Sequence, residues 1–243
     1  MKDRKTRILE NRELAPGIFR LICETDGDDF SRPDQFAMVS VPDKFLRRPI
    51  SVADHDEHSF TLIYKVVGEG TDILSQMKEG ETLQVLTGLG NGYDISAVPD
   101  GAAVIGGGIG IPPMYGLAKA LKAAGKSFEV ILGYNTKEEI FLLEEFEALG
   151  VPLTVMTADG SYGRKGFVTD AFERLPFVCA CGPTPMLKAL DACTDHGFFS
   201  LEARMGCGFG ACMGCSIKTK DGSARVCKNG PVFDKEVIRW ESL

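Results

Sequence analysis

The sequence predicts a multidomain chain. An antiparallel β-barrel or sandwich occupies residues 1–98, a parallel-sheet α/β domain residues 99–197, and a small cysteine-rich module residues 198–243. Three observations predict it. Short β-branched and aromatic runs separated by turn residues fill the first part. Apolar strands alternate with helical patterns through the second. Glycine and cysteine dominate the last 46 residues, which carry no helical pattern longer than two turns.

In the first part, strands are expected at Ile18–Cys23, Phe36–Val41, Phe60–Val66 and Thr82–Leu86, with turns near 26–29 and 54–57. One helix is expected at about Asp72–Lys78, where Ile73, Leu74 and Met77 share a face and Gly80 follows the end. In the second part, Ala102–Ile105 reads as a buried parallel strand. A glycine run and Pro112-Pro113 then open a helix to about Ala124, with Met114, Leu117, Ala118 and Leu121 at helical spacing. Strands at Phe128–Leu132, Leu153–Met156 and Phe177–Ala180 alternate with helices at about Lys137–Leu149 and Pro185–Asp195, the last closed by Gly197.

Composition excludes several function classes. The chain has 243 residues, enough to bury a sizeable core without disulfide staples. It is 44% hydrophobic and 25% charged, ordinary for a soluble globular protein. A net charge of −7 argues against nucleic acid as a partner. The first ten residues are basic, but no apolar segment follows, so no signal peptide is expected. No run of 18 apolar residues supports a membrane span. A cytoplasmic, reducing location is expected, where clustered cysteines serve metals or catalysis more often than disulfides. Four of the eight cysteines, Cys23, Cys179, Cys181 and Cys193, lie scattered among apolar residues, and Cys23, Cys179 and Cys193 read mainly as small buried hydrophobes.

Four motifs carry chemistry. Arg48-Pro49-Ile50-Ser51, Ile63-Tyr64-Lys65 and Gly70-Thr71 surround the start of the first helix. A helix N-terminus offers free N–H groups to a phosphate, and Arg48 can add a charge-assisted bond; an ordinary helix cap is the alternative. Gly107, Gly108 and Gly110, followed by Pro112, lie between a strand and a helix. Such glycines let backbone approach a pyrophosphate, although Pro113 takes the third position of the strict G-x-G-x-x-G pattern. Cys181, Gly182 and Met186 end another strand, at the edge where open α/β sheets bind ligands. Cys181 there either faces a bound ring or is an inert buried thiol.

The fourth motif is Cys207-x4-Cys212-x2-Cys215, with Cys227 eleven residues on. This is the plant-type [2Fe–2S] spacing. Structural zinc, which favours two Cys-x2-Cys pairs, and redox-active thiols remain open. The interleaved glycines allow a short loop to wrap a cluster and aim N–H groups at sulfur. Three histidines, His55, His58 and His196, form no ligand or triad pattern. The acidic run from Glu138 to Glu147 reads as a solvated helix face.

Taken in order, Arg48-Pro49-Ile50-Ser51, the glycine-rich turn, Cys181-Gly182-Pro183-Thr184-Pro185-Met186 and the four cysteines resemble the ferredoxin–NADP reductase superfamily. The short C-terminal module narrows the resemblance to the electron-transfer subunits of dihydroorotate dehydrogenase B, over essentially the whole chain. The resemblance implies an N-terminal barrel binding FAD through Arg48–Ser51, Ile63–Lys65, Gly70 and Thr71. It implies a middle domain binding NAD and a [2Fe–2S] module held by Cys207, Cys212, Cys215 and Cys227. Cys181, near nicotinamide and flavin, is the implied catalytic residue. Ile50 stands where many superfamily members stack a tyrosine on the flavin.

By the same likeness, an FMN-containing dihydroorotate dehydrogenase catalytic subunit is the partner, in a two-plus-two heterotetramer serving pyrimidine biosynthesis. Electrons would pass from its FMN through the cluster and FAD to NAD⁺. Homologous subunits of NAD(P)H–ferredoxin, sulfide or glutamate-synthase-type flavin complexes share the three modules. A stand-alone oxygenase reductase would carry a longer final cysteine gap. A reading from another class is a non-enzymatic interaction module built on structural zinc.

Overall fold

The computed structural model describes residues 1–27 and 29–243; Asp28, in the expected 26–29 turn, lies outside the described residues. Six strands close into an antiparallel barrel: β1 (Lys2–Ala15), β2 (Ile18–Glu24), β3 (Phe36–Val39), β4 (Arg48–His55), β5 (Ser59–Lys65) and, after helix α1 (Glu69–Gln76), β6 (Thr82–Leu89). Their order round the barrel is β1-β2-β5-β4-β3-β6. Closure leaves no edge strand exposed. Alternate side chains, among them Leu21, Ala37, Val39, Phe60, Leu62 and Val85, fill the interior.

Two barrel strands are not among the expected ones. β1 is dense in charge, and only Thr6, Ile8 and Ala15 along it are buried. β4 contains Pro49 and Asp54, which depress strand propensity, yet Ile50 and Val52 point into the barrel and Ala53 packs outward towards α2, which holds the strand in the wall. Helix α1 begins three residues earlier than its apolar face indicates, at the Gly68 cap.

The second unit is a seven-stranded sheet of order β10-β9-β8-β7-β11-β12-β15, its last strand, β15 (Val232–Asp234), coming from the C-terminal segment. Its elements are β7 (Ala102–Gly107), α2 (Ile111–Ala123), β8 (Phe128–Tyr134), α3 (Leu143–Glu147), β9 (Leu153–Thr157), β10 (Arg164–Lys165), β11 (Leu175–Cys181), α4 (Thr184–Ala192) and β12 (Thr194–Ser200). β7 is buried throughout and lies between β8 and β11, all three parallel. Strand order therefore reverses between β7 and β11, which makes their C-terminal ends the topological switch point where such sheets bind ligands.

Two helices differ from expectation. The region 137–149 forms a single 3₁₀ turn at Lys137–Glu139 and then the short α3. Phe141 and Leu142 between them are buried, and Leu142 adopts φ 60°, which breaks the helical path. Helix α4 ends at Ala192, and Gly197 is not its cap but a residue of β12 beside Val178. A Cβ at 197 would stand 2.3 Å from the Val178 carbonyl oxygen, so close backbone approach, not helix termination, calls for the glycine.

After β12 the chain forms the cysteine loop, the hairpin β13 (Ser216–Thr219) and β14 (Gly222–Arg225), and the single turn α5 (Val226–Asn229). It then returns to the large sheet as β15 (Val232–Asp234), antiparallel to β12. Buried Lys235 donates to the carbonyl oxygens of Asp191 and Thr194, and the Trp240 indole donates to Asp191. These bonds tie the C-terminal segment to α4 and β12. Across the barrel–sheet junction, α2 packs on β4, and Lys119 Nζ lies 2.7 Å from Asp54 Oδ1.

Candidate functional site

A cleft of 490 Å³ lies where the barrel, the parallel sheet and the segment leading to the cysteine loop meet. All nine barrel residues singled out from the sequence line it: Arg48, Pro49, Ile50, Ser51, Ile63, Tyr64, Lys65, Gly70 and Thr71. Ile109 and Pro113 enter from the β7–α2 turn, Cys181 from the end of β11, and Ser200, Glu202 and Met205 from the approach to the cysteine loop.

The local folding explains the anion-binding face. The Arg48 guanidinium packs on Gly70 in the first turn of α1, and its Nη1 donates to the Leu46 carbonyl. The Thr71 hydroxyl accepts from the N–H groups of Val67 (2.9 Å) and Gly68 (3.2 Å) and donates to the Gly68 carbonyl (2.9 Å). It therefore fastens the turn before the helix. The first-turn N–H groups have no partner within the helix, so a helix dipole and a guanidinium share one corner. The Tyr64 hydroxyl donates to Asn11, and its ring stacks with Phe19, so this side chain belongs to the barrel wall.

Of the seven candidates on the sheet, only Cys181 lines the cleft; Gly107, Gly108, Gly110, Pro112, Gly182 and Met186 build the two loops behind it. These loops interlock at the switch point. A Cβ at Gly110 would lie 2.4 Å from the Cys181 carbonyl, and one at Gly107 2.3 Å from Met186 Sδ. Burial pushes the Cys181 thiol well above its ordinary range, with Asp34 and Glu202 adding like charge. It is a neutral, weakly nucleophilic thiol in that wall.

Sequence reasoning missed Asp34, Ser200 and Glu202. Ser200 ends β12 opposite Cys181, so the strand register was the signal that could have revealed it. Glu202 is exposed at the cleft mouth, and partial desolvation of its carboxyl raises it above its ordinary range. Asp34 sits in a Pro-Asp-Gln turn that reads as ordinary loop.

The four module thiols gather as pairs. Cys215 Sγ and Cys227 Sγ stand 3.2 Å apart, both buried. Cys207 Sγ accepts from the N–H groups of Ala211 (3.2 Å) and Cys212 (3.4 Å), and Cys212 Sγ from that of Gly214 (3.5 Å). Burial pushes the Cys207 thiol up, but the N–H groups of Cys212, Phe209 and Ala211 outweigh it and bring it down to about 6. Gly208, Gly210 and Met213 adopt positive φ, which folds the loop this tightly. Among the described residues no three Cys, His, Asp or Glu side chains converge on the single point a mononuclear ion needs. Two sulfur pairs with N–H groups aimed at them suit a two-iron cluster. A Cβ at Gly208 would lie 2.6 Å from the Met38 side chain, so the loop rests directly on the barrel strand β3.

Residues 202–239 match the family described as the iron–sulfur cluster binding domain of dihydroorotate dehydrogenase B. Residues 104–192 match the oxidoreductase NAD-binding domain. The "Dihydroorotate dehydrogenase B (NAD(+)), electron transfer subunit" of Bacillus pumilus (strain SAFR-032) is 43% identical, with 98% of each chain covered. That of Caldanaerobacter subterraneus subsp. tengcongensis is 42% identical, covering 96% of this chain and 97% of the relative. Among solved structures, the NADH-dependent reduced ferredoxin–NADP oxidoreductase studied for flavin-based electron bifurcation superposes with a TM-score of 0.87. It shares 32% identity over 97% of this chain and 90% of its own. Phthalate dioxygenase reductase shares the fold alone, at 17% identity and TM-score 0.68, over 96% of this chain and 76% of its own.

Proposed function

This chain belongs to the family of dihydroorotate dehydrogenase B electron-transfer subunits, and from that premise we propose how its residues divide the work. It is an oxidoreductase subunit of pyrimidine biosynthesis that carries electrons from a dihydroorotate-oxidising catalytic partner to NAD⁺. When bound, FAD and a [2Fe–2S] cluster would supply the chemistry, single-electron transfer at the cluster and exchange between one- and two-electron transfer at the flavin.

In our reading, residues 1–98 form the FAD-binding unit, 99–197 the NAD-binding unit and 198–243 the cluster module. Arg48, with the first-turn N–H groups of α1, holds the FAD pyrophosphate, and Gly70 leaves room for the guanidinium. Pro49, Ile50, Ser51, Ile63, Tyr64, Lys65 and Thr71 shape the cleft around the rest of the cofactor. Apolar walls from Ile63, Ile109, Pro113 and Met205 keep water from the reacting ring. Gly107, Gly108, Gly110 and Pro112 receive NAD at the switch point, and Gly182 and Met186 brace that loop. Cys181 lies between the two binding regions and orients nicotinamide by contact as a neutral thiol. Cys207, Cys212, Cys215 and Cys227 hold the cluster.

The observation that carries this reading is continuity. One cleft is bounded by the barrel motif, the switch point and the lead-in to the thiol loop, so electrons need cross no intervening domain. The partner is an FMN-containing catalytic subunit, the assembly two-plus-two and the location cytoplasmic. No helix among the described residues is long and apolar enough to cross a membrane. Co-purification of the chain with the catalytic subunit, with mass measurement and a dihydroorotate:NAD⁺ assay, tests this. A four-chain complex that reduces NAD⁺ is expected; a chain that assembles only with a ferredoxin- or sulfide-linked partner contradicts it.

A further inference from the structure

Asp34 is the unusual residue behind the cleft. It is fully buried, and neither carboxylate oxygen makes a hydrogen bond. Its backbone adopts φ 63°, in the region disfavoured for side chains other than Asn, Asp and Gly. An unpaired buried carboxylate is costly, so such a group either neutralises itself or serves a purpose.

Its surroundings define the purpose. Ser51 approaches from β4, Ser200 from β12, and Glu202 from the segment after β12. Its charge also acts on Cys181 of β11 and on Tyr93 after β6. The Tyr93 hydroxyl is already spent on the Ala180 carbonyl, 3.0 Å away. Among the described residues, the side chains acting on the carboxyl are Ser200, Ser51 and Glu202, none of them a cation. Burial, acting first, raises it to about 7 with a smaller push from the charge of Glu202, against the pull of the Ser200 and Ser51 hydroxyls, which lie near it but outside hydrogen-bond geometry. Ser51, Cys181, Ser200 and Glu202 line the cleft, whereas Asp34 is buried beside it and does not.

We propose that Asp34 is a proton-holding positioning residue: it binds a proton when negative charge builds in the cleft and releases it when that charge leaves. The inference rests on the placement of FAD in this cleft. Converting NAD⁺ to NADH consumes two electrons and one proton. The electrons arrive from the partner without a proton, so the proton comes from water, through groups able to hold one. Asp34 touches neither cofactor. It acts through Ser51, Ser200 and Glu202, and keeps charge in the cleft compensated while electrons wait for NAD⁺.

The test counts protons taken up on reduction of the FAD-loaded chain, wild type against Asp34→Asn, in weakly buffered indicator solution from about pH 5 to about pH 9. Asn tolerates the same φ and mimics the protonated acid. Above about pH 7, wild type should take up more protons per FAD than the variant, with the difference vanishing towards pH 5. Equal uptake at every pH overturns the proposal. Should Asp34→Asn lose FAD, Glu202→Gln carries the test. Removing the repelling charge should shift the onset of extra uptake to lower pH, and an unmoved onset overturns the proposal. Infrared spectra of the FAD-free chain give a readout independent of the flavin: a buried carboxylic acid band that titrates near neutrality and disappears in Asp34→Asn. Its absence from wild type also overturns the proposal. Undiminished FAD affinity in Gly70→Ala is the separate signature of misplaced FAD, read without touching Asp34.

Discussion

The Arg48 guanidinium lies so close to Gly70 that a Cβ at position 70 would stand 2.2 Å from Arg48 Nε and Nη2. The two residues are 22 positions apart, one on the barrel wall and one in the first turn of α1, and their contact makes the cationic corner of the cleft.

Gly70→Ala should displace the guanidinium, not unfold the protein, because the clashing atoms end a flexible side chain. FAD affinity should fall at least tenfold, about 1.4 kcal/mol, while thermal stability of the FAD-free chain changes little. Flavin fluorescence titration of the apoprotein measures this. Arg48→Lys, which keeps charge but loses the fork, should fall between the two.

Cys212→Ser should abolish the cluster's visible absorbance and leave FAD in place. Cys212 is exposed at the loop surface, and the cleft does not include it. Iron content and flavin content, measured together, decide it. Full iron retention would contradict the assignment of Cys212 as a ligand.

Cys181 should resist alkylation in the folded chain at neutral pH. Its thiol is buried and held neutral, whereas thiolate is the reacting form. Peptide mapping after iodoacetamide should find Cys181 labelled only after denaturation. Rapid labelling in the native state would mean that the cleft wall opens.

Asp34 makes stability depend on pH with a defined sign. Its carboxyl is raised from 3.8 to about 7, so the folded chain keeps a proton that the unfolded chain has released. This contribution is complete below about pH 4 and is lost as pH rises towards 7, at up to about 1.4 kcal/mol per pH unit. Denaturant unfolding at about pH 5 and about pH 8 should therefore show Asp34→Asn gaining on wild type as pH rises. Parallel pH dependence would refute this.

The architecture was legible where local chemistry and fold agree. The alternation of apolar strands with helices, the glycine turn and the cysteine spacing all state their structure locally. The misses have physical causes. β1 is set by its hairpin with β2 and by pairing with the distant β6, where Lys2 stands opposite Thr87, so its charged residues give little local signal. Gly197 carries the same letter as a helix cap but answers to the Val178 carbonyl. The nine barrel residues of the site were readable because the motif clusters them in sequence. Asp34, Ser200 and Glu202 were not, because only tertiary packing brings the loop before β3 against the ends of β11 and β12.

Anaerobic addition of reductants to the isolated, FAD-loaded chain tests the central claim most directly. NADH should bleach the flavin at once, and dihydroorotate should leave it oxidised until the catalytic subunit is added. Bleaching by dihydroorotate alone would contradict the account, since the chain would then need no partner to oxidise it.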